Sequence, residues 1–212
     1  MKKINFLNIF ILIFLILFIT PSCNSQNDPS ITSSFDEYLS FKDENHEVLI
    51  MQISDYGYIV FQLDKCVAPK TVEHFTSLAK SHALNHTYIN RIQPGFVVQG
   101  GEGCKNNETV IGEFDENGHQ NTISHEKGVI SMARSTDYNS ASSQFFIVLD
   151  DSAKLSLDGQ YAAFGHIIGG EDVVDHIVND LAFDDLDESY YGYYMGFLKN
   201  TSFIEIIQVF TL

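Results

Sequence analysis

Apolar and polar positions change their spacing several times along this chain of 212 residues. An almost unbroken apolar run from Ile4 to Ile19 follows Met1-Lys2-Lys3 and ends at Thr20-Pro21-Ser22-Cys23. Residues 24–44 are then rich in Ser, Asn, Asp and Thr, with few branched apolar side chains, a composition that cannot build a core. From Glu47 the chain turns β-like. Val48, Ile50 and Ile53 lead into the turn Asp55-Tyr56-Gly57, and Tyr58 to Leu63 answers them, which predicts a hairpin. Ala68-Pro69-Lys70-Thr71 opens a helix to about Ser81. Val72, Phe75, Leu78 and Ala79 recur at helical spacing, and Glu73 and His74 suit its first turn.

Strand runs dominate the rest. A loop, 82–87, precedes the stretch 88–101, and residues 102–127 form a polar excursion with no sustained period, of a length that in compact domains tends to carry function. Runs 128–133, 144–149 and 162–168 read as strands, with a turn at Leu157-Asp158-Gly159-Gln160. A second amphipathic helix starts at Gly170-Glu171 with Val173, Val174 and Ile177 inward. An acidic, tyrosine-rich segment, 180–198, precedes a last strand, 203–212. Many short strands with two helices predict a barrel or sandwich rather than alternating β-α units, and no internal repeat is present.

The stretch YINRIQPGFVVQGG, 88–101, combines unlike chemistry. Ile92, Phe96, Val97 and Val98 read as buried strand, Pro94-Gly95 as a turn, and Gly100-Gly101 as its stop. Arg91, one of only two arginines in the chain, lies inside it. A guanidinium there needs work for its five donors. Gln99 is eight residues on, an even separation that favours the same face as Arg91 unless a bulge at Pro94-Gly95 breaks the parity. Two readings stay open from this stretch alone: a functional guanidinium and amide on an apolar surface, or a structural arginine paired with a carboxylate.

The charge pattern narrows the partners. The positively charged start and apolar run read as an export signal over residues 1–22. Ser22-Cys23 resembles a bacterial lipobox, with Thr20 departing from the usual Leu, so a lipidated Cys23 is expected; ordinary secretion and an uncleaved anchor are the alternatives. Residues 23–45 would then tether a domain spanning 46–212. Loss of Lys2 and Lys3 takes the net charge from −16 to about −18, which argues against nucleic acid or anionic lipid as a partner. The membrane contact expected is the lipid anchor alone, and the location exported and membrane-tethered, with a secreted or periplasmic form as the alternative. Cys66 and Cys104 show no CxxC or framework spacing, so two unpaired thiols are preferred over a disulfide. The eight histidines sit at no spacing with convincing metal-ligand geometry.

The residues now in hand resemble the cyclophilin-type peptidyl-prolyl isomerases, in their bacterial form. Ala68-Pro69-Lys70-Thr71-Val72 with Phe75, YINRIQPGFVVQGG, GEFDENGH, GVISMARS, SASSQFFIVL, LDGQYAAFG and GEDVVDHI are similar to successive family blocks in the same order. The resemblance covers about residues 47–178 densely. It implies a mainly β fold, a closed eight-stranded antiparallel β-barrel capped by two α-helices, with the substrate groove on its outer face. It implies isomerisation of X-Pro bonds in exported or surface proteins, assisting their folding, with no cofactor and no metal, by a monomer. By position, Arg91 is the residue aimed at the prolyl nitrogen, and Gln99 binds substrate backbone and orients it. The same resemblance implies that Phe96, Met132, Phe146 and Leu157 wall the proline pocket and that Tyr161 closes it. Ala133 and Arg134 pair with the extended peptide, Gln144 lies at the floor, and Asn90 stands beside the arginine.

Three positions depart from the best-known members. Asn90 and Tyr161 stand where those carry His, and Ser156 stands where eukaryotic members carry a Trp that contacts cyclosporin. Weak cyclosporin binding is therefore expected. The competing reading is a non-catalytic peptide-binding or chaperone module on the same fold; the presence of Arg91, Phe96 and Gln99 together favours the enzyme.

Overall fold

Strands β1 (His46–Ile53) and β2 (Gly57–Asp64) pair antiparallel without a break, from His46 opposite Asp64 to Ile53 opposite Gly57. This is the predicted hairpin, turned through Asp55 at φ 63° and Gly57. In the computed structural model the described residues are 34–180, 186–187, 196–198 and 204–212. The remaining strands are β3 (Thr87–Gln93), β4 (Val97–Glu102), β5 (Val129–Met132), β6 (Phe145–Val148), β7 (Ala163–Gly169), β8 (Leu186–Asp187), β9 (Gly196–Leu198) and β10 (Ile204–Thr211). Their order is β10-β1-β2-β7-β5-β6-β4-β3, and a further β10–β3 pairing, Ile204 opposite Ile89, closes eight antiparallel strands into a barrel. Closure leaves the barrel without open edges. β9 also pairs with β3, with Phe197 opposite Arg91, and β8 pairs with β9.

Period-two alternation sorts the apolar side chains into two layers. Leu49, Met51, Phe61, Ile130, Phe145, Ile147 and Phe164 fill the barrel interior. Val97, Val129, Phe146, Val148 and Ala163 from the alternate positions form a second cluster outside it, with Ala153 and Leu157. β5 and β6 are thus buried on both faces, which is why β6 reads as an unbroken apolar run and β5 as one interrupted only by Ser131. Gly100-Gly101 does not stop the run. Both lie within β4, and Gly101, at φ 88°, passes so close to Ser143 that a Cβ would sit 2.3 Å from its carbonyl oxygen.

Helix α1 (Pro69–Lys80) buries Val72, Phe75, Leu78 and Ala79, with the Phe75 ring edge-on to Phe145 at 5.6 Å. A one-turn helix α2 (Lys154–Leu157) precedes the turn at 158–160, and α3 (Glu171–Asp180) turns Val173, Val174 and Ile177 inward. The start of α1 is capped from outside. Ala68 offers no side-chain acceptor there. Glu113, buried within the polar excursion, instead accepts from Lys70 N at 3.1 Å, Thr71 N at 2.8 Å and Thr71 Oγ1 at 2.7 Å. A carboxylate suits that position, where unsatisfied N–H groups and the helix dipole meet.

The compact unit begins at Phe35, not at residue 46. Within the stretch expected as tether, Asp36–Phe41 form a 3-10 helix, and Phe35 is buried against Tyr58 and Phe210. Gln62 donates to the Phe41 carbonyl at 2.6 Å, and the Asp43 carboxylate accepts from the N–H groups of Asn45 and His46. Phe35 and Tyr38 supply the apolar anchors that the polar composition masked. The leader, Cys23 and Tyr190, Tyr191, Tyr193 and Tyr194 lie outside the described residues.

Replacing Glu113 by Ala strands two backbone donors of α1 and one hydroxyl. A loss of about 2–3 kcal/mol of unfolding free energy is expected, read as a lower urea midpoint at unchanged slope. A change below about 0.5 kcal/mol would show that the cap is not needed.

Candidate active site

The site is built on the outer layer. Arg91 on β3 stands directly opposite Gln99 on β4, so the turn through Pro94-Gly95 preserves their common face. The irregularities of this pair lie earlier, between Tyr88 and Arg91. Arg91 Nη1 donates to Gln99 Oε1 at 3.3 Å, and Nη2 donates to Gln93 Oε1 at 2.6 Å. Gln99 Nε2 in turn donates to Gln144 Oε1 at 2.7 Å, and Gln144 Nε2 to Glu102 Oε2 at 2.6 Å. One chain of amides thus runs from a carboxylate to the guanidinium, each amide oriented by the next. Burial lowers the pKa of Arg91 from the ordinary arginine value, opposed by Tyr161, and the group stays charged at any physiological pH.

Beside the guanidinium opens a cavity of about 290 Å³ lined by Arg91, Phe96, Val97, Gln99, Ala133, Arg134, Phe146, Leu157 and Tyr161. Eight of the residues singled out in the sequence therefore meet here. The Phe146 and Tyr161 rings stand edge to face at 5.5 Å and 85°. The Arg134 guanidinium lies over Tyr161 at 4.6 Å and also faces Tyr138 and Phe114, at 4.9 and 5.1 Å. It donates to the Gln160 and Ser135 carbonyls at 2.9–3.0 Å. Arg134 is thereby part of the wall, its side chain locked by carbonyls and rings. An apolar pocket of this size with the Arg91 guanidinium and the Gln99 amide at its mouth fits a small ring joined to a polar backbone.

Three expected residues do not line it. Met132 has the same parity on β5 as Ile130, so it points into the barrel interior and is 1% exposed. Asn90 is buried in the irregular part of β3, and its Oδ1 has no hydrogen-bond partner among the described residues. Gln144 supports Gln99 from behind. Val97 lines the cavity without being singled out by the sequence pattern, although it lies two residues before Gln99 on the same face of β4. Nor does the pattern single out Phe114 and Tyr138, which hold Arg134 and come from loops with no periodicity to announce them.

Comparison with known proteins yields concordant matches. The family model described as cyclophilin type peptidyl-prolyl cis-trans isomerase/CLD matches residues 48–191. A peptidyl-prolyl cis-trans isomerase of Acinetobacter baylyi is 36% identical over 131 residues, 59% of this chain and 69% of that protein. Peptidyl-prolyl cis-trans isomerase A of Dickeya dadantii is 37% identical over 137 residues, 60% of this chain and 70% of that protein. By contrast, the chain spans only 22% of the isomerase-like 2 protein of Cryptococcus neoformans, at 35% identity over 130 residues. Among solved structures, a Cryptosporidium parvum cyclophilin type isomerase, crystallised in the presence of the dipeptide Ala-Pro, superposes with a TM-score of 0.62. At 23% identity the match covers 78% of this chain and 98% of that one.

Proposed function

The chain belongs to the cyclophilin-type peptidyl-prolyl cis-trans isomerases, and on that premise we propose that it rotates X-Pro bonds in the groove that Arg91 borders. The observation that carries this reading is the placement of the Arg91 guanidinium, braced by Gln99 and Gln93, at the mouth of the apolar cavity.

The barrier to rotation, about 18–20 kcal/mol, comes from amide resonance. A donor directed at the prolyl nitrogen draws its lone pair out of conjugation and favours the twisted amide. Phe96, Val97, Phe146, Leu157 and Tyr161 hold the ring while Gln99 takes the adjoining backbone, and the guanidinium's bond to the prolyl nitrogen, which strengthens only as the amide twists, grips the half-rotated substrate better than either planar isomer. No covalent intermediate forms, and no proton is transferred. The Ala-Pro dipeptide present with the Cryptosporidium structure is of the same chemical class.

The clients proposed are exported or surface polypeptides folding outside the cytoplasm, met by an enzyme tethered through a lipid on Cys23. The charged start, the apolar run to Ile19 and Ser22-Cys23 support this. A non-catalytic peptide binder remains the second reading, and the same variant separates the two.

Arg91→Ala should lower kcat/KM on an Ala-Pro peptide about 100–1000-fold, or about 3–4 kcal/mol, while the circular dichroism spectrum is kept. Equal rates for variant and wild type would leave the binding module. Ser156, whose hydroxyl donates to the Ala153 carbonyl, offers no indole to cyclosporin. Calorimetry is expected to give a Kd above about 1 µM, some −8 kcal/mol, and a tighter value would reject this. For the anchor, mass spectrometry of the membrane fraction should find diacylglycerol on an N-terminal Cys23; a free cysteine or an intact leader would refute it.

A further inference from the structure

Behind the proline pocket lies a polar group that the mechanism above does not use. His125 is 1% exposed, and both of its ring nitrogens are engaged. Nδ1 meets Asp158 Oδ1 at 2.8 Å, and Nε2 meets Ser131 Oγ at 3.0 Å. The same Asp158 oxygen accepts from the His125 backbone N–H at 2.7 Å, and its other oxygen accepts from the Ser124 hydroxyl at 2.7 Å. Burial pushes the His125 pKa down, with Asp158 opposing, so the ring is neutral near pH 7. Asp158 is itself acidic. Its partial burial acts against this, but the His125 N–H and Ser124 hydroxyl hold the carboxyl below its usual range. A carboxylate can only accept, so the ring proton sits on Nδ1, and Nε2 accepts from the Ser131 hydroxyl.

The ring lies almost parallel to that of Phe146, at 20° and 6.0 Å. Ser131 stands opposite Phe146 in the β5–β6 register, and Asp158 directly follows Leu157. Both attachment points of the imidazole thus belong to segments that also carry the pocket wall. From Phe146 the contacts continue edge to face to Tyr161 and from there to the Arg134 guanidinium. A rotated imidazole would remove the surface against which Phe146 rests. The interior is too closely packed to replace it without shifting the wall.

We propose that His125, clamped between Asp158 and Ser131, is a positioning residue that fixes Phe146 as the wall of the proline pocket. This rests on the isomerase reading of the groove. The wall touches the proline ring in planar and twisted amide alike, so its displacement weakens binding of both. KM should therefore bear the effect, while loss of Arg91 is felt in kcat.

The test uses the full chain and an Ala-Pro peptide, with kcat and KM measured beside peptide Kd by NMR titration. His125→Phe keeps a ring and loses both clamps. Asp158→Ala loses the carboxylate from a side chain that is 42% exposed, so the core is left filled should His125→Phe fail to fold. Each should raise KM and Kd about fivefold to tenfold with kcat within about twofold, a loss of about 1 kcal/mol in binding. Asp158→Asn keeps an oxygen at the Oδ1 position, and its amide can donate to Ser124, so KM should return to within about twofold of wild type. Folded His125→Phe and Asp158→Ala proteins with wild-type KM and Kd would overturn the proposal, as would an Asp158→Asn defect as large as that of Asp158→Ala. Because Kd is read without turnover, wild-type protein that binds the peptide but does not isomerise it would reject the isomerase reading, while the Kd series still decides the role of His125.

Discussion

The register that sets Arg91 opposite Gln99 is the contact on which the rest of the site depends. Strand parity gives both side chains the outer face, and their pairing supplies the amide that braces the guanidinium. A slip of one residue on either strand would send one of them into the barrel interior. The neighbouring pairs extend the same logic. Gln99 stands opposite Phe146, and Phe146 opposite Ser131, so three adjacent strands deliver the amide, the pocket wall and the hydroxyl of the His125 clamp in one row. The barrel thus acts as a ruler that spaces unlike chemical groups across its surface.

Much of this was legible in the chain, and the failures share a cause. Amphipathic helices and alternating hairpins announce themselves, and α1, α3 and the β1–β2 pair appear where the pattern puts them. In β5 and β6 every residue is buried, so the pattern carries no face information. Met132 belongs to the groove by resemblance alone, and its parity with Ile130 directs it inward instead. Asn90 likewise comes from the resemblance, as the arginine's neighbour, and in the irregular register between Tyr88 and Arg91 it is buried away from the cavity. Phe114 and Tyr138 reach Arg134 from loops, where no period exists. Contacts set by tertiary closure leave no trace in spacing.

Electrostatics in this chain are arranged by concentration. The sequence carries a net charge of −16 and only two arginines, and both guanidinia border the one groove. Their roles differ. Arg91 is braced by side-chain amides with the cavity before it, whereas Arg134 is spent on carbonyls and three rings. Arginine suits both tasks because its planar fork can satisfy several oxygens while its face stacks on aromatics.

Glu113 and Phe114 are adjacent, yet one completes the start of α1 and the other lies under the Arg134 guanidinium. Asn121 fastens their segment by donating to the carbonyls of Glu113 and Ala163. The excursion that the polar composition marks as a loop is therefore a keystone between helix and groove. The start of α1 takes its cap from a segment 42 residues downstream, and the same segment lays a ring against the groove's second arginine. Helix cap and groove wall thus hang from one segment, and displacing it would open the start of α1 and loosen the groove together.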